Sequence, residues 1–285
     1  MTFPGHFLAA KNLLPKKHMG QNFLIDPSTA EMIVRRAGVC SNDTVLEIGA
    51  GLGALSIPLG RSCKNLYAVE KDRDLIEILP GVLAANEINN AVLIHKNIFD
   101  VDLEGIARKE KRMLTIFGNL PYNISSQVVI WAIEHRHLID RAVFMFQREV
   151  AKRIGALAGS REYGRLSVMV QYCGRVERIA KIEAHQFYPK PKVSSEVIMI
   201  HFDLPTRQAI VDEKQFSAVV KAAFGRRRKT LKNAFAESEL NVDSGILDCM
   251  WEKTSIDPHR RAETLNVSEF IELTAALGRC RDLGS

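Results

Sequence analysis

Cysteine is scarce and carries no pairing signal: Cys40, Cys63, Cys173, Cys249 and Cys280 are an odd set with no CxxC spacing. Such a set offers neither a disulfide framework nor a zinc site, so buried, reduced thiols and no bound metal are expected. Long hydrophobic runs are missing as well. Charges break every apolar stretch well short of the about 20 residues a membrane span requires, and the first residues show no signal-peptide pattern. A soluble, cytoplasmic protein with no membrane attachment is therefore expected. No internal repeat or low-complexity tract occurs, which removes repeat architectures and disordered arrays.

What the chain does contain is ordinary globular material. Its 285 residues are 46% hydrophobic and 25% charged, enough to bury a core in one large domain or in a core domain with a small attachment. Thirty-nine basic against thirty-three acidic side chains leave a net charge of +6, which favours a polyanionic partner. The excess is local, in "PKKHMG" (15–20), in Arg35 and Arg36, and above all in "FGRRRKTLK" (224–232).

Hydrophobic periodicity organises the rest. "DPSTAEMIVRRAG" (26–38) reads as a helix with Asp26 as N-cap, Pro27 at the first helical position and Gly38 as its stop. Short β-rich runs follow at 44–48, 65–69, 91–95, 114–119 and 142–147, separated by helical patterns such as 74–83 and 125–135. Apolar strands alternating with helices predict a parallel sheet covered on both faces, with ligands bound at the carboxyl ends of its strands. Runs at 178–183 and 192–202, after a helix-like 164–173, are expected to finish the sheet with an antiparallel edge. Beyond "DLPTRQAIVDEK" only helical spacing remains. The expected organisation is an α/β domain over 1–205 and a small all-α domain over 206–285.

The first strand runs into "EIGAGLGAL" (47–55), where Gly49, Gly51 and Gly53 let the backbone turn tightly and approach a ligand. Glu70 ends the second strand about 20 residues later, where a carboxylate accepts both hydroxyls of a ribose. Up to this point NAD and S-adenosylmethionine fit equally. Glu47, beside the loop, would repel a pyrophosphate and suits a cationic methionine moiety.

The fourth strand ends in "NLPY" (119–122). Adenine N6 is a poor nucleophile because its lone pair is delocalised into the ring. Two acceptors facing the amino hydrogens would draw that pair out: the side-chain oxygen of Asn119 and the backbone carbonyl of Leu120, whose geometry Pro121 restricts. Tyr122 offers a face on which an extruded base can stack, worth roughly 1–3 kcal/mol. Transfer from a sulfonium is an in-line displacement governed by alignment, so no metal and no tuned base are required.

"GQNFLID" (20–26), "EIGAGLGALS" (47–56), "VEKD" (69–72), "NLPYNIS" (119–125), "QREVAKRI" (147–154), "YGRLSVMVQY" (163–172), "FYPKPKVSSEV" (187–197) and "AFGRRRKTLKNAF" (223–235) together resemble, in order, the blocks of the bacterial rRNA adenine dimethyltransferases. The resemblance spans nearly the whole chain. It implies a Rossmann-like class I methyltransferase sheet with a helical C-terminal domain, and S-adenosylmethionine as cofactor with S-adenosylhomocysteine as product; a monomer is the default expectation. It also implies dimethylation of two adjacent adenosines near the 3′ end of the 16S rRNA of the small ribosomal subunit. By the same resemblance Asn22, Leu24, Gly49, Glu70 and Asn119 would touch the cofactor, and Phe187 would stand near the target base. Asn97 takes the place of the family's usual Asp, its amide oxygen still able to accept from an adenine amino group, and Ile98 would pack on the adenine face. Arg226, Arg227, Arg228, Lys229 and Lys232 are expected to meet RNA phosphates. Two other readings stay open: a large-subunit adenine methyltransferase of the macrolide-resistance type, and an RNA-binding assembly factor whose chemistry is dispensable.

Overall fold

The short apolar runs at 44–48, 65–70, 114–119 and 195–201 are buried along most of their length and can satisfy their backbone only against a neighbour, so they pair into one sheet with more exposed strands at its edges. The computed structural model describes residues 4–10, 13–121, 123–202, 212–226, 228–240 and 242–283. The chain opens with α1 (Pro4–Ala10), β1 (Phe23–Leu24) and α2 (Pro27–Arg36). Strands and helices then alternate through β2 (Thr44–Ile48), α3 (Ser56–Ser62), β3 (Asn65–Glu70), α4 (Arg73–Ala84), β4 (Ala91–His95), α5 (Leu103–Glu110), β5 (Leu114–Asn119), α6 (Ser125–Glu134) and β6 (Ile139–Gln147). Next come α7 (Arg148–Ile154), α8 (Arg165–Cys173), β7 (Arg175–Ile182), β8 (Phe187–Tyr188) and β9 (Ser195–His201). The described residues end in α9 (Glu213–Phe224), α10 (Leu231–Ala236), α11 (Ser244–Glu252) and α12 (Val267–Leu283).

The sheet runs β4-β3-β2-β5-β6-β9-β7. From β4 to β6 the neighbours are parallel, and β9 lies antiparallel to β6, as the late runs predict. The chain crosses from β2 to β3 on one side and reaches β5 on the other, so the carboxyl ends of β2 and β5 flank a switch point in strand order. Crevices for ligands form there. The register sets Ile48 beside Gly118.

Local chemistry places the flanking helices. Asp26 accepts the N–H groups of Ser28 (3.1 Å) and Thr29 (3.2 Å), capping α2 as expected, and the Ser28 and Thr29 side chains hold its carboxyl below the usual range. Removing such a cap costs about 1 kcal/mol. The inner face of α2 buries Ala30, Ile33 and Val34, and the helix stops just before Gly38. A separate two-stranded antiparallel pair joins β1 to β8, with Phe23 opposite Tyr188 and Leu24 opposite Phe187.

Backbone contacts divide the chain into two units: Met1–Ala151 with Val176–Phe202, and Lys152–Arg175 with Asp203–Ser285. The second boundary falls close to the 205/206 division read from sequence. The segment 152–175 groups instead with the C-terminal helices. Tyr172 on α8 stacks on Phe216 of α9 with ring centroids 4.0 Å apart, an apolar contact that helical spacing alone does not assign to either unit. Phe224 and Phe270, and Phe235 and Trp251, extend this aromatic core.

The thiol expectation needs one correction. Packing of α11 against α12 brings Cys249 and Cys280 together as a disulfide, 31 residues apart in sequence. Helix packing creates that pairing, so spacing carried no sign of it. Cys40 is exposed, and Cys63 and Cys173 are buried free thiols. No helix among the described residues is long and apolar enough to cross a membrane.

Candidate active site

One cavity lies at the carboxyl ends of β2, β3 and β5. Asn22, Leu24, Glu47, Gly49, Gly51, Glu70, Asn97, Ile98, Asn119, Leu120, Pro121 and Phe187 all line it. Residues spread over most of the first unit's sequence thus converge, because each stands at a strand end or just beyond one. Tyr122 and Arg227 lie outside the described residues.

The glycine loop forms one wall. Gly49 (φ +73°) and Gly51 (φ +57°) adopt left-handed backbone that side chains disfavour. The Gly49 and Ala50 N–H groups donate to the Val69 carbonyl at 2.8 and 3.2 Å, locking the loop to β3. Gly53 does a different job from the one expected of it. It does not line the cavity; a Cβ there would meet Leu79 Cδ1 at 3.2 Å and Val82 Cγ1 at 3.3 Å, so its bare Cα lets the loop pack on α4.

Glu70 ends β3 almost fully buried. Its Oε2 accepts the Gly51 N–H at 2.9 Å and its Oε1 accepts the Asp72 N–H at 2.8 Å. Burial raises its pKa, opposed by these backbone donors. Each oxygen keeps acceptor capacity, which suits a pair of vicinal hydroxyls.

Glu47 departs from its expected role as a free carboxylate. Its side chain is enclosed, the Ser56 hydroxyl donates to Oε2 at 2.5 Å, and burial pushes its pKa up to about 8, with the Ser56 bond opposing and Glu70 adding repulsion. At neutral pH burial therefore favours the neutral acid.

At the other end of the cavity Asn119 projects from β5. Its Nδ2 donates to the Asn22 carbonyl at 2.9 Å, which fixes the amide plane and leaves Oδ1 as the acceptor end. The Leu120 N–H is tied to the Met145 carbonyl at 3.3 Å, and the Leu120 side chain is buried beside Gly118, where a Cβ would meet Leu120 Cδ2 at 2.7 Å. Phe187 is buried in the core while also lining the cavity. Asn97 caps the short turn Ile98–Asp100, its Oδ1 accepting the Phe99 N–H at a long 3.4 Å. Ile98 is buried at the cavity wall.

Two features were absent from the sequence reading. Asp72, two residues past Glu70, is buried and receives Lys16 Nζ at 2.6 Å and Gln21 Nε2 at 2.6 Å. Burial raises its pKa, but the bonds from Lys16 and Gln21 prevail and hold it below the usual range. Residues 18–20, the end of the basic "PKKHMG" run, line the cavity together with Asn22 and Leu24, which were expected there.

The basic run lies in the second unit and is not the continuous helix that its flanking spacing suggests. Gly225 ends α9 and Thr230 starts α10, so Arg226, Arg228 and Lys229 stand exposed on the connecting turn, with Lys232 exposed in the first turn of α10. Arg226 faces Glu237 at 3.6 Å.

Residues 12–277 match the family described as Ribosomal RNA adenine dimethylase. A protein of Desulforapulum autotrophicum named Ribosomal RNA small subunit methyltransferase A is 49% identical, over 97% of this chain and 97% of its own. One of Clostridium botulinum with the same name is 39% identical over 90% and 92%. In fold, the chain resembles a dimethyladenosine transferase from Plasmodium falciparum, with a TM-score of 0.76, 23% identity and coverage of 91% and 98%. The 23S rRNA methyltransferase ErmE gives 0.63 at 20% identity, covering 90% and 99%.

Proposed function

Because the chain belongs to the ribosomal RNA adenine dimethylase family, we propose that its strand-end cavity transfers methyl groups from S-adenosylmethionine to N6 of two adjacent adenosines near the 3′ end of small-subunit rRNA. The enzyme is an rRNA adenine dimethyltransferase. It works as a cytoplasmic monomer on the small subunit, and its chemistry calls for no metal.

The observation that carries the reading is the orientation of Asn119. An amide whose Nδ2 is anchored on the Asn22 carbonyl has its plane and its acceptor oxygen fixed in place, and an adenine amino group is a donor of the matching kind. Together with the Leu120 carbonyl, that oxygen accepts hydrogen bonds from the N6 hydrogens and turns the nitrogen lone pair toward the methyl group, and each transfer releases one N6 proton to solvent. S-adenosylmethionine, when bound, supplies that methyl as an electrophile on a cationic sulfur and leaves as S-adenosylhomocysteine. Glu70 holds the ribose, Gly49 and Gly51 keep the loop low enough to admit it, and Asn97 and Ile98 meet the adenine ring. Glu47 lies by the methionine end, where a nearby cation would favour its ionised form. Tyr122 and Phe187 stack on the target base. Arg226, Arg227, Arg228, Lys229 and Lys232 grip phosphates. Alignment supplies the rate.

The test is mass spectrometry of rRNA fragments after incubating the purified protein and S-adenosylmethionine with unmodified small subunits and, separately, with large-subunit RNA. Two adjacent dimethyladenosines in the small-subunit fragment are expected. Modification confined to large-subunit RNA would move the protein to the resistance class, and no modification of either would favour a pure assembly factor.

A further inference from the structure

The segment that orients Asn119 is anchored at its far end by the pairing of β1 with β8. Its strand β1 is only two residues long, and its remaining backbone belongs to no sheet. Phe23 and Leu24 are buried, and the residues before them are tied to Asp72. Lys16 Nζ bridges Asp72 Oδ1 (2.6 Å) and Asp74 Oδ2 (2.7 Å), while Gln21 Nε2 donates to the second oxygen of Asp72 at 2.6 Å. The Lys16 N–H also donates to Gln21 Oε1 at 2.7 Å, closing the turn between the two ties.

From this clasp a continuous set of contacts reaches both ends of the cavity. On one side the Asp72 N–H donates to Glu70, whose other oxygen holds the Gly51 N–H. On the other, Gly20 (φ +64°) lies so close to Pro121 that a Cβ would sit 3.1 Å from the proline Cβ, and the Asn22 carbonyl holds the Asn119 amide. Glu70 at the ribose end and Asn119 at the transfer end are thereby joined through one segment.

We propose that Lys16 and Gln21 are positioning residues: by clasping Asp72 they hold residues 20–24 as a wall of the cavity and set the Asn22 carbonyl that aims Asn119. The clasp couples cofactor affinity to turnover. An ion pair with Asp72 buried and Lys16 about one-third exposed is strong enough to order the segment and weak enough to respond to salt. This inference rests on the role given to Asn119 above.

The test uses the full-length enzyme and the Lys16→Met and Lys16→Arg variants, with S-adenosylhomocysteine affinity from calorimetry and kcat on unmethylated small subunits at saturating S-adenosylmethionine. Lys16→Met is expected to weaken S-adenosylhomocysteine and to lower kcat, each by about fivefold. Lys16→Arg should recover most of both, and salt should weaken S-adenosylhomocysteine binding in the wild type more than in Lys16→Met. Unchanged affinity and kcat in Lys16→Met, or a loss that arginine does not recover, overturns the proposal. If Lys16→Met lowers the melting temperature, Gln21→Leu keeps the ion pair and removes the second tie; a kcat loss there supports the clasp and full activity overturns it. Should Asn119→Ala itself turn over normally, the reading of the active site fails, while the calorimetric arm still decides whether Lys16 holds the wall.

Discussion

Asn119 and Asn22, 97 residues apart, share one hydrogen bond in which the side chain donates and the backbone accepts. That polarity decides what the rest of the Asn119 amide can do. With Nδ2 engaged, Oδ1 is the end left for a donor, and the exocyclic amine of adenine is such a donor.

Asn119→Ala should therefore lower the methyl-transfer rate by about a hundredfold or more, the usual loss when a preorganised polar partner of the transition state is removed. Small-subunit binding should change little, since the proposed phosphate contacts lie elsewhere. Single-turnover methylation and filter binding measure the two separately. A wild-type rate would remove the amide from the chemistry.

Glu70 offers a graded test, because its two oxygens serve two different N–H donors, Gly51 and Asp72. Glu70→Ala should raise the dissociation constant of S-adenosylhomocysteine by at least about tenfold, from loss of the ribose contact and loosening of the glycine loop together. Glu70→Gln should fall between, since an amide can accept on one side only and turns a donor toward the other N–H. Equal calorimetric affinities for all three proteins would deny the ribose contact.

The strand ends were readable because Thr44–Ile48 and Leu114–Asn119 are largely apolar runs that stop at turn formers, Gly49 in one case and Pro121 in the other. The cavity follows from where such runs stop. The clasp was not readable: Lys16 meets Asp72 56 residues away, and nothing in "PKKHMG" distinguishes a lysine that pairs with protein from one that pairs with phosphate. The turn at 225–230 was hidden for a different reason. Apolar residues keep helical spacing on both sides of it, so periodicity carries across a break that Gly225 and the Thr230 cap impose locally. The Cys249–Cys280 bond depends on how α11 meets α12, which is tertiary information.

The exposed cations of that turn should govern the salt dependence of RNA binding. Replacing Arg228, Lys229 and Lys232 by alanine should weaken small-subunit rRNA binding and reduce the slope of log K against log salt, by up to about 0.7–0.9 for each phosphate that is no longer neutralised. Arg226→Ala should do less, because Glu237 already shares its charge at 3.6 Å. Titrations at several salt concentrations give the slopes directly, and an unchanged slope in the triple variant would take the turn out of the interface.

Glu47 ties the site to pH. In the fold its carboxyl keeps its proton up to about pH 8 because burial penalises the charge, whereas the unfolded chain releases it near the ordinary carboxylate value of 4.5. Between those values the folded state binds more protons than the unfolded one, so unfolding releases a proton and stability falls as pH rises. The contribution is whole below about pH 4.5 and is lost progressively toward about pH 8. Glu70, also raised by burial, acts with the same sign. Glu47→Gln keeps an acceptor for the Ser56 hydroxyl and has nothing to titrate. Its melting temperature, taken relative to the wild type without cofactor, should rise steadily from about pH 5 to about pH 8. Parallel melting curves across that range would mean that the carboxyl is already ionised in the fold, and that some cation faces it there.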